Sequence, residues 1–323
     1  MSSAPTHGFW RYYGQYRWSE IFAMLRNNTR DPIACDTSAQ GKLVVITGAT
    51  SGIGYATAHT YAAKGANLLC INRNAQKSQQ LQAEITSRYG VMCDTLIADL
   101  SLIEETRRVA QALLALEKPI DVLILNAGVY LTRQAITQEG LDTVFAVHYL
   151  SSFLLIHTLL PKLKRENRAR ILLVNSEGHR FAPWGLDMEN LQFEKGGYSG
   201  LTSYGNAKLA QLLSMIEFAK RLEGSSVTLN AMHPGAVESD TGKENGRLYR
   251  WFKKHLLAKV LKSAQLSADA LYTLGISAQF QGITGKFFNL TTLETPAPPA
   301  LDAEVASLLW TKTLQIGKID ANQ

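Results

Sequence analysis

The stretch from Lys42 to Gly54 limits the folds open to this chain more than any other. It reads Lys-Leu-Val-Val-Ile-Thr-Gly-Ala-Thr-Ser-Gly-Ile-Gly. Leu43 to Ile46 has the β-branched, apolar composition of a strand buried on both faces. Gly48, Gly52 and Gly54 follow, and the apolar spacing from Ile53 to Ala63 is that of a helix. A strand, a glycine turn and a helix place backbone N–H groups and a positive helix end where a pyrophosphate can sit. The Gly-x3-Gly-x-Gly spacing is not the Gly-x-Gly-x2-Gly of the usual dinucleotide fingerprint, and alone it could be an ordinary loop. The rest of the chain supplies the context.

From Lys42 onward strand-like and helical patterns alternate. Strands are expected at Leu43–Thr47, Asn67–Asn72, Met92–Ile97, Asp121–Leu125, Arg170–Asn175, Val227–Met232 and Lys286–Asn289. Helices are expected at Ile53–Lys64, Ala75–Arg88, Ile103–Leu116, Gly140–Leu163, Ser203–Leu222 and Ala264–Gln279. Strict alternation, with strands too apolar to face water, predicts an α/β fold: a doubly wound, Rossmann-like parallel sheet of about seven strands. The 323 residues, 46% hydrophobic, suffice for a large core, and we expect one domain over residues 41–323. Residues 1–40 form an N-terminal extension. There Phe9, Trp10, Tyr12, Tyr13, Tyr16, Trp18 and Phe22 are interleaved with Arg11, Arg17 and Arg26. Such a mixture suits a lipid headgroup layer, but its amphipathicity is imperfect, and an arm packed over the main domain is the preferred reading.

The net charge of +6 is compatible with an anionic cofactor or a membrane surface and too diffuse to argue nucleic-acid binding. Cys35, Cys70 and Cys93 have no metal-ligand spacing, so no metal is expected, and isolated thiols suggest a reducing compartment. No apolar run reaches the length of a membrane span, and the N-terminus lacks the apolar core of a signal peptide. A cytoplasmic protein is therefore expected, with peripheral membrane contact open to it. The glycosylation sequons at Asn27 and Asn289 read as accidental.

In a doubly wound sheet ligands bind at the carboxyl ends of the strands, so the residues just after each strand carry the chemistry. Arg73, after the second strand, stands where a carboxylate would bond the adenosine ribose, and a guanidinium there can hold a 2′-phosphate, which favours NADP. Asp99 and Leu100 follow the third strand and Asn126, Ala127 and Gly128 the fourth, where the Asp and Asn can bond the adenine ring and order the loops, as turn chemistry also would. The fifth strand ends at Ser176, placed to donate to a substrate oxygen. Tyr204 follows 28 residues later with Lys208 four further on, so phenol and ammonium share a helix face. A nearby cation stabilises phenolate and brings a poor base toward working pH.

Taken together these motifs resemble the short-chain dehydrogenase/reductase family over roughly residues 42–316. Thr47-Gly48-x3-Gly52-Ile53-Gly54, Asp99, Asn126-Ala127-Gly128, Ser176, Tyr204-x3-Lys208 and Pro234-Gly235 occur in the family's order. Ser176 to Phe181, the long Ser-to-Tyr spacing, Ala219 to Gly224, His233-Pro234-Gly235 and Gly285 to Phe288 with Trp310 are most similar to its retinol-dehydrogenase-like branch. The resemblance implies that Tyr204 is the general acid/base, that Lys208 lowers its pKa and holds the nicotinamide ribose, and that Ser176 polarises the carbonyl. It implies a cofactor site of Gly48, Thr50, Ser51, Gly52, Ile53, Gly54, Arg73, Asp99, Leu100, Asn126, Ala127, Gly128, Tyr204, Lys208, Pro234, Gly235, Val237 and Ser239. His148 stands where the family usually has an Asn that orders a proton-relay water; it can support a water or titrate, mark reduced activity, or merely pack.

The family carries a mobile substrate lid at about residues 240–262. Here that segment mixes Trp251, Phe252 and several leucines with Arg247, Arg250, Lys253 and Lys254, which suits a bulky apolar substrate drawn from a membrane surface or a plain helix packed on the sheet. The expectation is an NADP(H)-dependent oxidoreductase interconverting a carbonyl and an alcohol on a retinoid-, steroid- or lipid-like molecule. A reductase of a conjugated C=C bond and a catalytically weak NADP-binding regulatory protein are the alternatives. The oligomeric state is left open.

Overall fold

The computed structural model describes residues 7–235 and 264–319. The first strand, β1 (Leu43–Thr47), is buried along its whole length because it lies inside the sheet, with helices on both faces. It is followed by β2 (Asn67–Asn72), β3 (Cys93–Ile97), β4 (Val122–Leu125), β5 (Arg170–Val174), β6 (Thr228–His233), β7 (Phe287–Asn289) and β8 (Thr292–Glu294). Their order across the sheet is β3-β2-β1-β4-β5-β6-β7-β8, parallel throughout except for the β7–β8 pair. The expected strands are all present, to within a residue at either end. The sheet has one strand more than the seven expected: three residues that turn back antiparallel after Leu290, whose φ is +53°, are too short to register as a sequence pattern. The order reverses between β1 and β4, which opens a crevice at their carboxyl ends.

The helices are α1 (Phe9–Tyr12), α2 (Trp18–Asn27), α3 (Gly52–Ala63), α4 (Ala75–Tyr89), α5 (Ile103–Leu114), α6 (Thr143–Glu166), α7 (Gly200–Arg221), α8 (Ala264–Ile276) and α9 (Ala303–Ile316). Side chains alternate across a strand, and the core divides accordingly. Val44, Ile46, Leu68, Cys70, Ile124 and Leu172 pack with α3, α4 and α8. Val45, Leu69, Ile71, Leu123, Leu125 and Leu173 pack with α5, α6, α7 and α9. In that second layer Phe153 lies among Tyr149, Phe218 and Trp310, with ring centroids 6.1, 5.2 and 4.8 Å away.

One expectation is corrected. The helix α6 is long and apolar enough, by length and composition, to cross a membrane, contrary to the reading that no run reaches that length. It is a core helix instead: 78% of its most apolar window is buried against the sheet and its neighbours. It also opens into a π-helical turn at Ala146–Leu150, all five residues buried, which sequence periodicity does not reveal.

The N-terminal arm packs over the domain. Gly8 N–H donates to Trp184 O at 2.7 Å, Arg11 bridges Asp302 and Glu304, and Ile33 is held at both its N–H and its C=O, by Thr291 and Thr273. Both sequon asparagines are buried, Asn27 donating to Glu294 and Asn289 to Asn28, which leaves neither side chain open to a glycan.

Phe153 is 1% exposed, so Phe153→Ala should leave a cavity between α6, α7 and α9. The expected cost is about 3–5 kcal/mol in urea unfolding, and a loss below about 1 kcal/mol would show that the aromatic cluster can collapse around the gap.

Candidate active site

The glycine turn at the end of β1 is held open from below. Thr47 Oγ1 accepts from the N–H groups of Asn126 and Ala127, and Asn126 Nδ2 donates to the carbonyls of Thr47 and Gly48, each at 3.0 Å. Gly48 has φ +71°, and a Cβ there would lie 3.0 Å from the Ala127 backbone. Gly52, at φ +54°, faces open space at the start of α3, whose first turn carries no acidic residue. Ser51, the N-cap, makes no side-chain cap bond, so the positive end of α3 is free to meet an anion. Gly54 differs from the expectation. It does not line the crevice; a Cβ there would collide with Gly48 O, and the glycine lets α3 pack against the turn.

This crevice has a volume of about 610 Å³. It is lined by Gly48, Thr50, Ser51, Gly52, Ile53, Arg73, Asp99, Leu100, Asn126, Ala127 and Gly128, and farther along by His148, Ser176, Tyr204, Lys208, Pro234 and Gly235. Nearly the whole expected set is thus brought to one wall; Val237, Ser239 and the lid segment lie outside the described residues. Asn72 Oδ1 accepts from Ala49 N–H at 2.7 Å and so ties the end of β2 to the glycine turn. Lys77, one turn into α4, lines the crevice with Arg73, a second cation that sequence reading passed over as an ordinary helix lysine. The backbone cradle and paired cations fit a dinucleotide phosphate.

At the far end, β5 and α7 are joined through buried polar groups. Lys208 Nζ donates to Val174 O at 2.7 Å and to Gln211 Oε1 at 3.4 Å. Asn175 Nδ2 donates to Lys208 O and to Gln211 Oε1, both at 3.0 Å, and Gln211 Nε2 donates to His148 O at 2.7 Å. With no carboxylate among the described residues to offset its desolvation, Lys208 is pushed down to about 7 by burial. Its ammonium lies 5.7 Å from the centroid of the Tyr204 ring. A Cβ at Gly178 would occupy the place of that ring, and Ser176 Oγ is 3.3 Å from the same point, so this glycine lets phenol and hydroxyl converge. Asn175 and Gln211 were not singled out from the sequence; amides without a motif carry no signal until their partners are known.

His148 sits in the π-turn beneath Gly128, where a Cβ would meet its ring. Nε2 lies 2.7 Å from Val129 O and 3.0 Å from Val129 N. Whichever tautomer satisfies them, Nδ1 is buried without a hydrogen-bond partner among the described residues. Burial, with Lys208 nearby, holds the imidazole well below its ordinary pKa and hence uncharged. Its ring is 5.3 Å from that of Tyr204, edge to face. The Tyr130 ring stands 5.9 Å from that of Tyr204, edge to face.

The loop after Ser176 is clamped by His179, whose Nδ1–H donates to Ser176 O at 2.8 Å while Nε2 accepts from Ala297 N–H at 3.0 Å. Burial pushes this histidine down to about 3, so the clamp stays neutral at physiological pH. Next to it Glu177 is raised to about 8 by burial and by the neighbouring Glu294, against the opposing pull of Arg180.

Residues 42–185 match the family model described as short chain dehydrogenase. The chain is 32% identical to retinol dehydrogenase 13 of Mus musculus over 292 residues, covering 88% of this chain and 86% of that protein. It is 33% identical to retinol dehydrogenase 12 of Homo sapiens, covering 87% and 89%. It is 31% identical to the human WW domain-containing oxidoreductase, of which it spans 66%. Among solved structures, a putative uncharacterized protein from Mycobacterium paratuberculosis superposes with a TM-score of 0.67 at 25% identity, covering 90% of this chain and 97% of that one.

The buried lysine has a consequence for stability. Unfolded, Lys208 titrates near 10.5, and folded at about 7. Between those values the unfolded chain binds more protons, so stability rises with pH across the window and is lost as pH falls back through it. In urea unfolding of the cofactor-free protein, the stability of wild type relative to Lys208→Met should increase from pH 7 to 10.5. A difference that stays flat would show an ammonium with an ordinary pKa.

Proposed function

The chain belongs to the short-chain dehydrogenase/reductase family, and on that premise we propose that it is an NADP(H)-dependent oxidoreductase interconverting a carbonyl and an alcohol on an apolar substrate. The observation that carries this reading is the convergence of Ser176, Tyr204 and Lys208 on the crevice into which the glycine turn of β1 opens. When bound, NADP(H) supplies or takes up the hydride. The Ser176 hydroxyl holds the substrate oxygen, and Tyr204 gives its phenolic proton to that oxygen in reduction or removes it in oxidation. Lys208 stabilises the phenolate charge from beside the ring and reaches toward the ribose. His148, uncharged and with an Nδ1 that has no partner among the described residues, stands in for the family's usual Asn by bonding a relay water next to Tyr204. Arg73 and Lys77 favour the 2′-phosphate of NADP over a bare ribose, since β2 ends at Asn72, with Arg73 and Asn74 following, and the carboxylate that lines the crevice nearby, Asp99, follows β3. The apolar substrate class is supported by the names of the relatives, two of them retinol dehydrogenases.

Tyr204→Phe keeps the ring and its packing while deleting the hydroxyl. Turnover of aldehydes and ketones should fall by roughly 10²–10⁴-fold, with NADPH affinity retained. Wild-type turnover in this variant would remove Tyr204 from the chemistry.

Cofactor choice is tested separately by titrating NADPH and NADH through nicotinamide fluorescence. Wild type should prefer NADPH, and Arg73→Glu should weaken it by about 1.5–3 kcal/mol or more, since a charge-assisted contact is replaced by repulsion. Equal affinities in the wild type would sink the assignment.

A further inference from the structure

The catalytic reading makes no use of the outer face of the N-terminal arm. Its polar ties run inward: Tyr16 O–H to Pro183 O, Arg11 to Asp302 and Glu304, Asn27 to Glu294. Rings are left outside. Trp10 is 90% exposed, Trp18 75%, Phe22 65% and Tyr13 60%. In a globular protein an amphipathic helix ordinarily turns its apolar stripe to the core. The helix α2 departs from this: Trp18, Phe22 and Leu25, at i, i+4 and i+7, share a solvent-facing stripe, while Ile21, Ala23 and Met24 are half-buried and the buried residue is Asn27. The aromatic surface is continuous. Phe9 stacks on Tyr13 at 4.4 Å and meets Trp10 at 5.0 Å, while Tyr13 and Trp18 line a common apolar cleft of about 450 Å³ with Trp184. The exposed Arg17 and Arg26 flank the stripe, and Glu20 is the one acidic residue between positions 7 and 30.

We propose that this face docks on an anionic lipid bilayer, its rings at the boundary of headgroups and acyl chains and Arg17 and Arg26 on the headgroup phosphates. Tryptophan and tyrosine suit that layer because each joins an apolar body to a polar N–H or O–H. The arginines complement a negative surface, and the net charge of +6 has the same sense. A second copy fits less well, because a two-fold pairing of this face would gather Arg17 and Arg26 of both copies into one interface with only Glu20 of each arm to offset them. The arm is bonded to Pro183 and Trp184, in the segment that follows Ser176, so docking holds the substrate end of the crevice near the membrane. The docking itself does not depend on the catalytic assignment.

The test is flotation of the full chain with phosphatidylcholine vesicles, with and without phosphatidylserine, at low and high salt. Wild type should float with the phosphatidylserine vesicles and be released by salt. Trp18→Ser/Phe22→Ser should weaken binding by at least about tenfold, from the apolar area lost. Arg17→Glu/Arg26→Glu should weaken it by roughly twentyfold or more. These side chains are exposed, so NADPH affinity and unfolding midpoint should not change in either variant and serve as the folding control. Failure of the wild type to float with either vesicle, or flotation unchanged by the ring substitutions, would overturn the proposal. So would a dimer in light scattering that dissociates in Trp18→Ser/Phe22→Ser, since the rings would then belong to a second copy.

Discussion

The bond from Lys208 Nζ to Val174 O, 2.7 Å long and buried, is the point on which the Ser176–Tyr204 end of the crevice depends. It ties the last residue of β5 to the middle of α7, and so sets Ser176, which follows Val174, against Tyr204, one turn before Lys208. An ammonium in that position is costly to desolvate, and the described residues offer it a carbonyl and an amide oxygen but no carboxylate. The resulting low pKa is the physical price of burying a cation beside a phenol. A carboxylate in its place would stabilise the ammonium better and leave less of its field for the phenolate.

The network continues beyond the lysine. Gln211, one turn later on α7, accepts from Asn175 and Lys208 and donates to the carbonyl of His148, thereby joining β5, α7 and the π-turn of α6. That turn carries the imidazole to a place beside Tyr204, with Gly128 making room for the ring. His179 performs the analogous service on the other side by fastening Ser176 O to the backbone at Ala297. Ser176, Tyr204 and His148 are therefore set in place by Asn175, Gln211 and His179, whose buried polar groups are satisfied by their partners.

Much of this was legible in the chain. Apolar runs bounded by glycine and asparagine located seven strands, because a strand covered on both faces must be apolar throughout. The glycine turn, Arg73 and the Tyr204–Lys208 pair were legible for a related reason, since each stands at a strand end or on a single helix face. Other features were not. β8 is too short for a period, and Lys77 resembles any exposed helix lysine until the crevice is seen to run past it. The aromatic arm reads as membrane-seeking or as packed, and it is packed through its polar groups and Tyr12, with Trp10, Tyr13, Trp18 and Phe22 turned outward.

By itself, then, the sequence determined the layered α/β architecture and the order of the strand-end motifs, since both follow from local periodicity and from backbone needs that only glycine meets. Tertiary structure decided which polar groups are partnered. Asn175, Gln211 and His179 gain their roles from residues 36, 63 and 118 positions away, through Gln211, His148 and Ala297. Gly54, expected in the cofactor wall, is a packing glycine for the same reason, because the carbonyl that excludes a Cβ comes from the turn folded back against it. A hydrogen bond or a collision between distant residues leaves no periodic trace in either segment, and it exists only once the sheet has brought the two together.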